Sequence, residues 1–124
     1  MENKTKIIII IAIIFFGLVI GFWINWERQP GEFDVFAQCI KNKGATFYGA
    51  FWCSHCQNQK SLFGKSAKYL PYVECSTSDG QSQLSVCKDK NIKSYPTWEF
   101  SDGSRLDGEL TLTQLAEKTG CQLP

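Results

Sequence analysis

An uninterrupted apolar run near the N-terminus divides this chain into two parts. Eighteen consecutive residues, Ile7 to Ile24, are apolar (glycine included), with no charge and no proline among them. As an α-helix the run would be about 27 Å long, close to the hydrocarbon thickness of a bilayer. Five successive isoleucines leave it without a polar face, which argues against a helix of a soluble domain. The sequence therefore predicts a membrane-spanning helix and a separate folded domain.

The flanks of this run indicate its orientation. Lys4 and Lys6 precede it, and Trp23 and Trp26 close it, the pattern of a cytoplasmic basic flank and an interfacial aromatic anchor. A cleaved signal peptide is the alternative, but its apolar region is shorter, about 7–15 residues, and small residues mark its cleavage site. We expect residues 1–26 to form an uncleaved anchor, and under either interpretation the rest of the chain is exported to the periplasm or a lumen.

A short polar linker, residues 27–32, connects the predicted anchor to one domain, residues 33–124. A domain of this size can build a single modest core. From residue 27 onward, eleven Lys and Arg residues balance eleven Asp and Glu residues, and no basic run alternates with aromatic residues. The composition gives no support to nucleic-acid binding.

The segment from Phe51 to Cys56, FWCSHC, carries the predicted chemistry of this domain. It places Cys53 and Cys56 one helical turn apart, directly after a charge-free, aromatic-rich run that is typical of a buried strand. Backbone N–H groups and the helix dipole stabilise a thiolate at the start of a helix. A Cys-x-x-Cys between a strand and a helix predicts a thiol–disulfide oxidoreductase. We expect no cofactor and no metal.

Periodicity and turn residues predict an α/β domain with the order helix, strand, helix, strand, helix, hairpin, helix. This order can form a mixed four-stranded sheet with helices on both faces, since parallel strand–helix–strand units cross over right-handed. The predicted elements are a helix from 33 that ends at Gly44, a strand 45–52, one long helix 53–70, a strand 72–75, a short helix 84–90, a hairpin 97–110, and a last helix that Thr111 caps and Gly120 closes.

A proline completes a resemblance to a known superfamily. In the run IKSYPT, Pro96 stands just before the predicted hairpin. Together with the Cys-x-x-Cys in this order, it resembles the thioredoxin superfamily, in which this proline is cis and packs against the active-site disulfide. A cis X–Pro bond is only moderately unfavourable, and it turns the preceding backbone groups toward an incoming peptide. The resemblance implies a thioredoxin-like fold.

Longer stretches resemble one branch of that superfamily over nearly all of residues 33–121. They are GATFYGAFWCSHCQNQKSLFGKSAKYLPYVECS and SYPTWEFSDG, with Cys39 and Cys87. They resemble the thioredoxin-like domain fused to, or encoded as a partner of, bacterial and plant vitamin K epoxide reductase homologues. The resemblance implies a membrane-anchored enzyme that oxidises cysteines of exported proteins and passes the electrons to a vitamin K epoxide reductase-like membrane partner.

The even number of cysteines, six, suits an oxidising compartment. With the Cys-x-x-Cys pair set aside, the other four allow three pairings. The resemblance implies a structural disulfide between Cys75 and Cys87, and with it one between Cys39 and Cys121. A redox relay through Cys75 and Cys87 is the alternative.

The predicted roles at the active site follow from thiol ionisation. Cys53, at the start of the helix, is the predicted nucleophile, and the more buried Cys56 resolves the mixed disulfide. His55, the only histidine, is predicted to stabilise the Cys53 thiolate as a cation or through a ring N–H, which makes the disulfide more oxidising. The predicted substrate-contacting residues are Trp52, Tyr95 and Pro96. For the two aromatic residues, core packing is the alternative.

The chain departs from the family pattern at two positions. Ser54 follows the first thiol, where related oxidases commonly have proline. Phe47 stands six residues before that thiol, where many thioredoxin-type proteins carry a buried carboxylate. Proton transfer from Cys56 therefore needs another group, and the sequence leaves Glu74, Glu99 and water open.

Two other functions are consistent with the same residues. A reductase or isomerase of exported proteins or apocytochromes would move electrons in the opposite direction. A metal-binding module would hold zinc or copper through Cys53, His55 and Cys56, although adjacent ligands at this spacing supply two good donors and one strained one. The reduction potential separates the first from an oxidase, and a metal assay tests the second.

Overall fold

The computed structural model describes residues 1–124 and contains two compact units, Met1–Pro30 and Gly31–Pro124. The first unit is a single helix, α1 (Glu2–Arg28), in which no residue is buried. By length and composition this helix could cross a membrane. It continues through the first two residues of the segment that the sequence predicts as a linker.

The second unit has the predicted order of helices and strands. Its elements are α2 (Asp34–Asn42), β1 (Thr46–Gly49), α3 (Ser54–Ser61), a 3₁₀ helix (Gly64–Tyr69), β2 (Tyr72–Glu74), α4 (Ser85–Lys88), β3 (Thr97–Glu99), β4 (Arg105–Asp107) and α5 (Leu112–Thr119). The strands form one sheet in the order β2-β1-β3-β4, with β1 and β2 parallel and the other pairs antiparallel. The prediction of a mixed four-stranded sheet flanked by helices, a thioredoxin-like fold, is confirmed.

Side chains of β1 supply both faces of this sheet, because successive residues of a strand point to opposite sides. Phe47 belongs to the larger core, which α2, α3, the 3₁₀ helix and α5 cover. Tyr48 belongs to a smaller core with Ile92 and the cysteines of α4 and the chain after β2. The strand is therefore buried on both sides, as its charge-free sequence indicates.

The prediction of one continuous helix over residues 53–70 is wrong. Helix α3 ends at Ser61, and a turn leads into the 3₁₀ helix that begins at Gly64. Gly64 has φ +51, in the left-handed region that glycine adopts without a steric penalty. The turn lets Phe63 enter the core and stack on Phe36, with ring centroids 5.9 Å apart. This packing outweighs the helical periodicity of the segment.

The domain contains two disulfides. One links its two ends, and the other closes one of its loops. Cys39 of α2 is bonded to Cys121 in the tail after α5, 82 residues away. Cys75 is bonded to Cys87 of α4, 12 residues away, and both of these cysteines are fully buried. The other two cysteines are free thiols.

Candidate active site

Cys53 is the N-cap residue of α3. Its backbone is extended (φ −78°, ψ 112°), and its Sγ accepts a hydrogen bond of 3.2 Å from the backbone N–H of Cys56. The first N–H groups of a helix have no partner within the helix, so a side-chain acceptor at this position satisfies one of them. The Cys53 sulfur thus lies at the N-terminal, positive end of the helix dipole of α3.

The two thiols differ in accessibility. Cys53 is 6% exposed and Cys56 is 0% exposed. Burial raises the pKa of Cys56 to about 12, the hydrogen bond with Cys53 adds to this increase, and the positive charge of Lys60 opposes it. An external thiol can therefore reach Cys53 first, while Cys56 stays protonated in the reduced protein.

The surroundings of Cys56 are closely packed and mainly apolar. A Cβ added to Gly49 would lie 3.0 Å from the Cys56 sulfur and 2.7 Å from the Tyr72 ring, so only glycine fits there. Phe47, at the position of the expected carboxylate, is fully buried and stacks on Trp98 with ring centroids 4.8 Å apart. The carboxylate is thus replaced by an aromatic stack.

The two carboxylates that the sequence left open occupy different places. Glu74 pairs with Gly49 across β1 and β2, and it accepts hydrogen bonds from the Tyr72 hydroxyl (2.7 Å) and the backbone N–H of Phe51 (3.3 Å). Burial and the hydrogen bond of its hydroxyl with Glu74 raise the pKa of Tyr72. Glu99 pairs with Thr46 at the other end of β1. Glu74 is the carboxylate on the side of the active site.

Glu99 forms ion pairs with two cationic side chains, those of Arg105 and Lys90. Arg105 binds it through two nitrogens, and Lys90 Nζ lies 3.4 Å from Oε1. Burial alone would raise the pKa of Glu99, but these two cations outweigh it and lower the pKa. Glu99 stays ionised in a separate ion-pair cluster.

His55 is exposed and hydrogen-bonds to a carboxylate that the sequence analysis missed. Its Nδ1 lies 2.6 Å from Oε1 of Glu109, which also accepts a hydrogen bond of 3.2 Å from Asn58. These hydrogen bonds lower the pKa of Glu109. The Nδ1 atom of His55 is thus engaged with Glu109 and not with Cys53.

A second missed residue is Gln59 of α3. It is fully buried, accepts hydrogen bonds from the backbone N–H of Leu110 (2.7 Å) and from Trp98 Nε1 (3.3 Å), and donates to the carbonyl of Leu110 (3.0 Å). The segment that carries Glu109 is therefore fixed to the active-site helix. In the sequence Gln59 stands among polar residues, and nothing there distinguishes it from a solvated side chain.

Of the residues predicted to contact substrate, Trp52 and Tyr95 line the same depression as Cys53. Trp52 is 55% exposed, which does not fit the core-packing alternative, and its ring meets the half-buried Tyr95 ring edge to face, 6.0 Å between centroids. The peptide bond between Tyr95 and Pro96 is cis, and Pro96 is buried. An open depression of about 420 Å³ lies here. The residues lining it are Trp52, Cys53, Ser54, His55, Lys93, Ser94 and Tyr95.

The geometry gives the metal-binding alternative no support. No group of three or more His, Cys, Asp and Glu side chains lies close enough together to hold a metal ion. The imidazole of His55 pairs with Glu109. The two sulfurs are the only paired soft donors that the site offers.

Comparison with known proteins agrees with this geometry. Residues 30–119 match the thioredoxin family. The chain is similar to the thiol-disulfide oxidoreductase LTO1 of Arabidopsis thaliana, with 46% identity over 91 residues, 70% of this chain and 24% of that protein. It is also similar to the thioredoxin domain-containing protein 5 homolog of Drosophila melanogaster, with 36% identity over 81 residues, 60% of this chain and 19% of that protein.

The chain thus spans less than a quarter of either relative. The fold, the two free thiols at the start of α3 and the similarity together support a thiol–disulfide oxidoreductase activity for this domain. With the match over residues 30–119, which is most of the chain, the protein belongs to the thioredoxin family.

Proposed function

We propose that this protein is a membrane-anchored thiol–disulfide oxidoreductase that oxidises the cysteines of exported proteins. The observation that carries the proposal is the arrangement of the two thiols. The Cys53 sulfur caps α3 and accepts a backbone N–H, whereas Cys56 is buried. Stabilising the Cys53 thiolate stabilises the reduced form, which makes the disulfide a better oxidant.

The reaction transfers two electrons through the Cys53–Cys56 disulfide. A substrate thiolate attacks the Cys53 sulfur, the disulfide bond breaks, and Cys56 leaves as a thiolate that takes up a proton. A second substrate thiolate then attacks the substrate sulfur of this mixed disulfide and releases Cys53 as a thiolate. The substrate gains a disulfide, and the enzyme holds two reduced cysteines.

We assign the proton exchange with Cys56 to Glu74. Because burial raises the pKa of Cys56 to about 12, its thiolate is strongly basic and needs a nearby proton donor. Glu74 accepts a hydrogen bond from the Tyr72 hydroxyl. The Tyr72 ring and the Cys56 sulfur both lie next to Gly49. Glu99, which pairs with Thr46 at the other end of β1, is ion-paired with Arg105.

The exported location of the domain is part of the proposal. We assign residues 1–26 as the anchor with its N-terminus in the cytoplasm, residues 27–32 as the linker and residues 33–124 as the redox domain in the periplasm or a lumen. The length and composition of α1 support the anchor, and its flanking lysines support the orientation. The two further disulfides fit an oxidising compartment.

A membrane oxidant must accept the two electrons for each turnover. The resemblance of the active-site run to domains linked with vitamin K epoxide reductase homologues supports a membrane partner of that type. That partner would reoxidise Cys53 and Cys56 and reduce a quinone. An anchor would keep the domain at the membrane surface, where such a partner is accessible.

Two measurements on the full-length protein test the proposal. We expect its reduction potential against glutathione to lie near −120 mV, roughly the value of a strong oxidase, whereas about −270 mV would indicate a reductase. We expect the Cys56→Ser variant to retain mixed disulfides with exported proteins and with a membrane oxidoreductase. A potential near the reductase value, or capture of neither class of partner, would contradict the proposal.

A further inference from the structure

A loop closed by a disulfide lies beside the active site and has no role in the electron transfer described above. This disulfide loop comprises residues 75–87, with the Cys75–Cys87 bond at its ends. Its two sides are joined by an antiparallel bridge between Ser76 and Gln83 and by a hydrogen bond of 2.7 Å from the Leu84 N–H to the Cys75 carbonyl. The base of the loop is therefore held in one position.

Two hydrogen bonds join this loop to the aromatic residues next to the reactive thiol. Trp52 Nε1 donates to Ser76 Oγ at 2.9 Å, and Gln83 Nε2 donates to the Tyr95 hydroxyl at 2.6 Å. Since Trp52 contacts Tyr95 and Ser76 pairs with Gln83, the four residues form a closed ring of contacts. Through these hydrogen bonds the loop holds both aromatic side chains in position.

This aromatic pair separates two depressions on the surface. One contains Cys53, and the other, of about 190 Å³, lies on the side of the disulfide loop. Trp52 and Tyr95 are walls of both. The rest of the second depression is formed by Ser76, Gly80, Gln81, Ser82 and Gln83. Its lining has hydroxyl and amide groups and carries no charged side chain.

We propose that this second depression binds the polypeptide of the thiol partner beside its reactive cysteine and accepts an uncharged polar side chain or peptide group. The inference rests on the proposed function, because it assumes a polypeptide thiol at Cys53. Since Trp52 and Tyr95 line both depressions, a polypeptide that places its thiol at Cys53 has only this aromatic pair between it and the second depression. A charged side chain would lose hydration there without gaining an ionic partner.

The test fills the depression without altering the thiols. Ser82 is exposed, and its backbone rather than its hydroxyl makes the hydrogen bonds with Thr77, so Ser82→Trp adds bulk at little cost to the loop. Gln38→Trp places the same indole on α2, which lines neither depression, and is the matched control. Both variants are made in the full-length protein in detergent micelles.

Two thiols are compared in their attack on the oxidised protein: dithiothreitol and the uncharged peptide acetyl-Gly-Ser-Asn-Gln-Cys-Gln-Asn-Ser-Gly-amide. We expect Ser82→Trp to slow the peptide at least fivefold and to leave dithiothreitol within twofold of wild type, with Gln38→Trp unchanged for both. An unchanged peptide rate, or an equal loss for both thiols, would overturn the inference.

A binding measurement separates this inference from the proposed function. The same peptide with serine in place of cysteine is titrated into ¹⁵N-labelled protein. We expect saturable shifts of the Trp52 indole and of the Gln81 and Gln83 side-chain amides, and weaker binding when both peptide glutamines are replaced by glutamate. Absence of these shifts would refute the depression as a binding site. If neither thiol reacted with the oxidised protein, the proposed function would fail, and this titration would still decide the inference.

Discussion

Glu109 Oε1 lies 2.6 Å from His55 Nδ1, so the only histidine of the chain is paired with a carboxylate from the connection between β4 and α5. Leu110, the next residue of that connection, is held through both its N–H and its carbonyl by the buried Gln59 of α3. The carboxylate is therefore held next to the Cys-x-x-Cys by contacts that do not depend on the histidine itself.

The His55–Glu109 pair predicts a pH-dependent contribution to stability. The hydrogen bonds from His55 and Asn58 lower the pKa of Glu109 below its value in the unfolded chain. Their stabilising effect is thus present above the ordinary glutamate pKa, about 4.3, and is lost as the pH falls through the folded-state value. We expect Glu109→Gln to lower Tm by about 1–3 °C at pH 6, as for exposed pairs, and to differ less from wild type at pH 3.

Thermal unfolding of wild type and variant at both pH values checks this prediction. Glu117→Gln, an exposed glutamate on α5 with no ion pair, is the control and should leave Tm unchanged at pH 6. Equal Tm values for Glu109→Gln and wild type at pH 6 would contradict it.

The difference between the two thiols predicts selective alkylation of the reduced protein. Only Cys53 has an exposed surface, and burial raises the pKa of Cys56 to about 12. At pH 7.5 we expect iodoacetamide to modify Cys56 on the order of 100-fold more slowly than Cys53, because the thiolate is the reactive species. Peptide mapping by mass spectrometry identifies the modified residue. In guanidinium chloride both should react readily, and equal labelling of the folded protein would refute the assignment of Cys53 as the nucleophile.

The sequence was sufficient for the order of elements and for the thiol pair, because both depend on local signals. Runs of β-forming residues bounded by turn residues identify strands, and Cys53 and Cys56 are three residues apart. The capping of α5 was predicted in the same way, and the structure has the Thr111–Gln114 capping box and Gly120 at φ +70°.

Contacts between distant residues could not be predicted. Glu109 meets His55 across 54 residues, and Gln59 meets Leu110 across 51, with no local signal that links either pair. The break in the predicted helix 53–70 has the same origin, since it depends on the packing of Phe63 against α2. In each case tertiary contacts decide the structure.

If Glu74 exchanges the proton of Cys56, removal of its carboxylate should slow formation of the Cys53–Cys56 disulfide. Glu74→Gln keeps the size of the side chain but cannot exchange a proton, so we expect closure of the Cys53–Cys56 disulfide to slow about tenfold or more. Glu99→Gln is the matched control at the other end of β1 and should change the rate less than twofold. Stopped-flow measurement of disulfide closure over a range of pH gives the comparison. If both variants had the same effect, Glu74 would have a structural role only.

Removing either of the two disulfides Cys39–Cys121 and Cys75–Cys87 should reduce stability according to the length of the loop that it closes. The Cys39–Cys121 bond spans 82 residues and the Cys75–Cys87 bond spans 12. In the chain-entropy model these loops correspond to about 4.5 and about 3 kcal/mol of unfolding free energy. Denaturant unfolding of the two double Cys→Ala variants measures the difference. The Cys75–Cys87 variant also tests the relay, because oxidation of dithiothreitol should persist in proportion to folded protein if that disulfide is structural.

Gln59→Met tests whether the buried amide fixes the active-site helix. Methionine has a similar length but leaves the Leu110 N–H and carbonyl and the Trp98 N–H without partners in a buried site. An unsatisfied buried polar group costs about 1–3 kcal/mol, so we expect a loss of about 2–4 kcal/mol in unfolding free energy after partial relaxation. Gln57→Met, an exposed neighbour whose amide donates to the Phe51 carbonyl, is the control and should lose less than about 1 kcal/mol. Chemical denaturation measures the unfolding free energy of both variants. Equal losses would contradict the prediction, because Gln59 would then stabilise the protein no more than an exposed glutamine of the same helix.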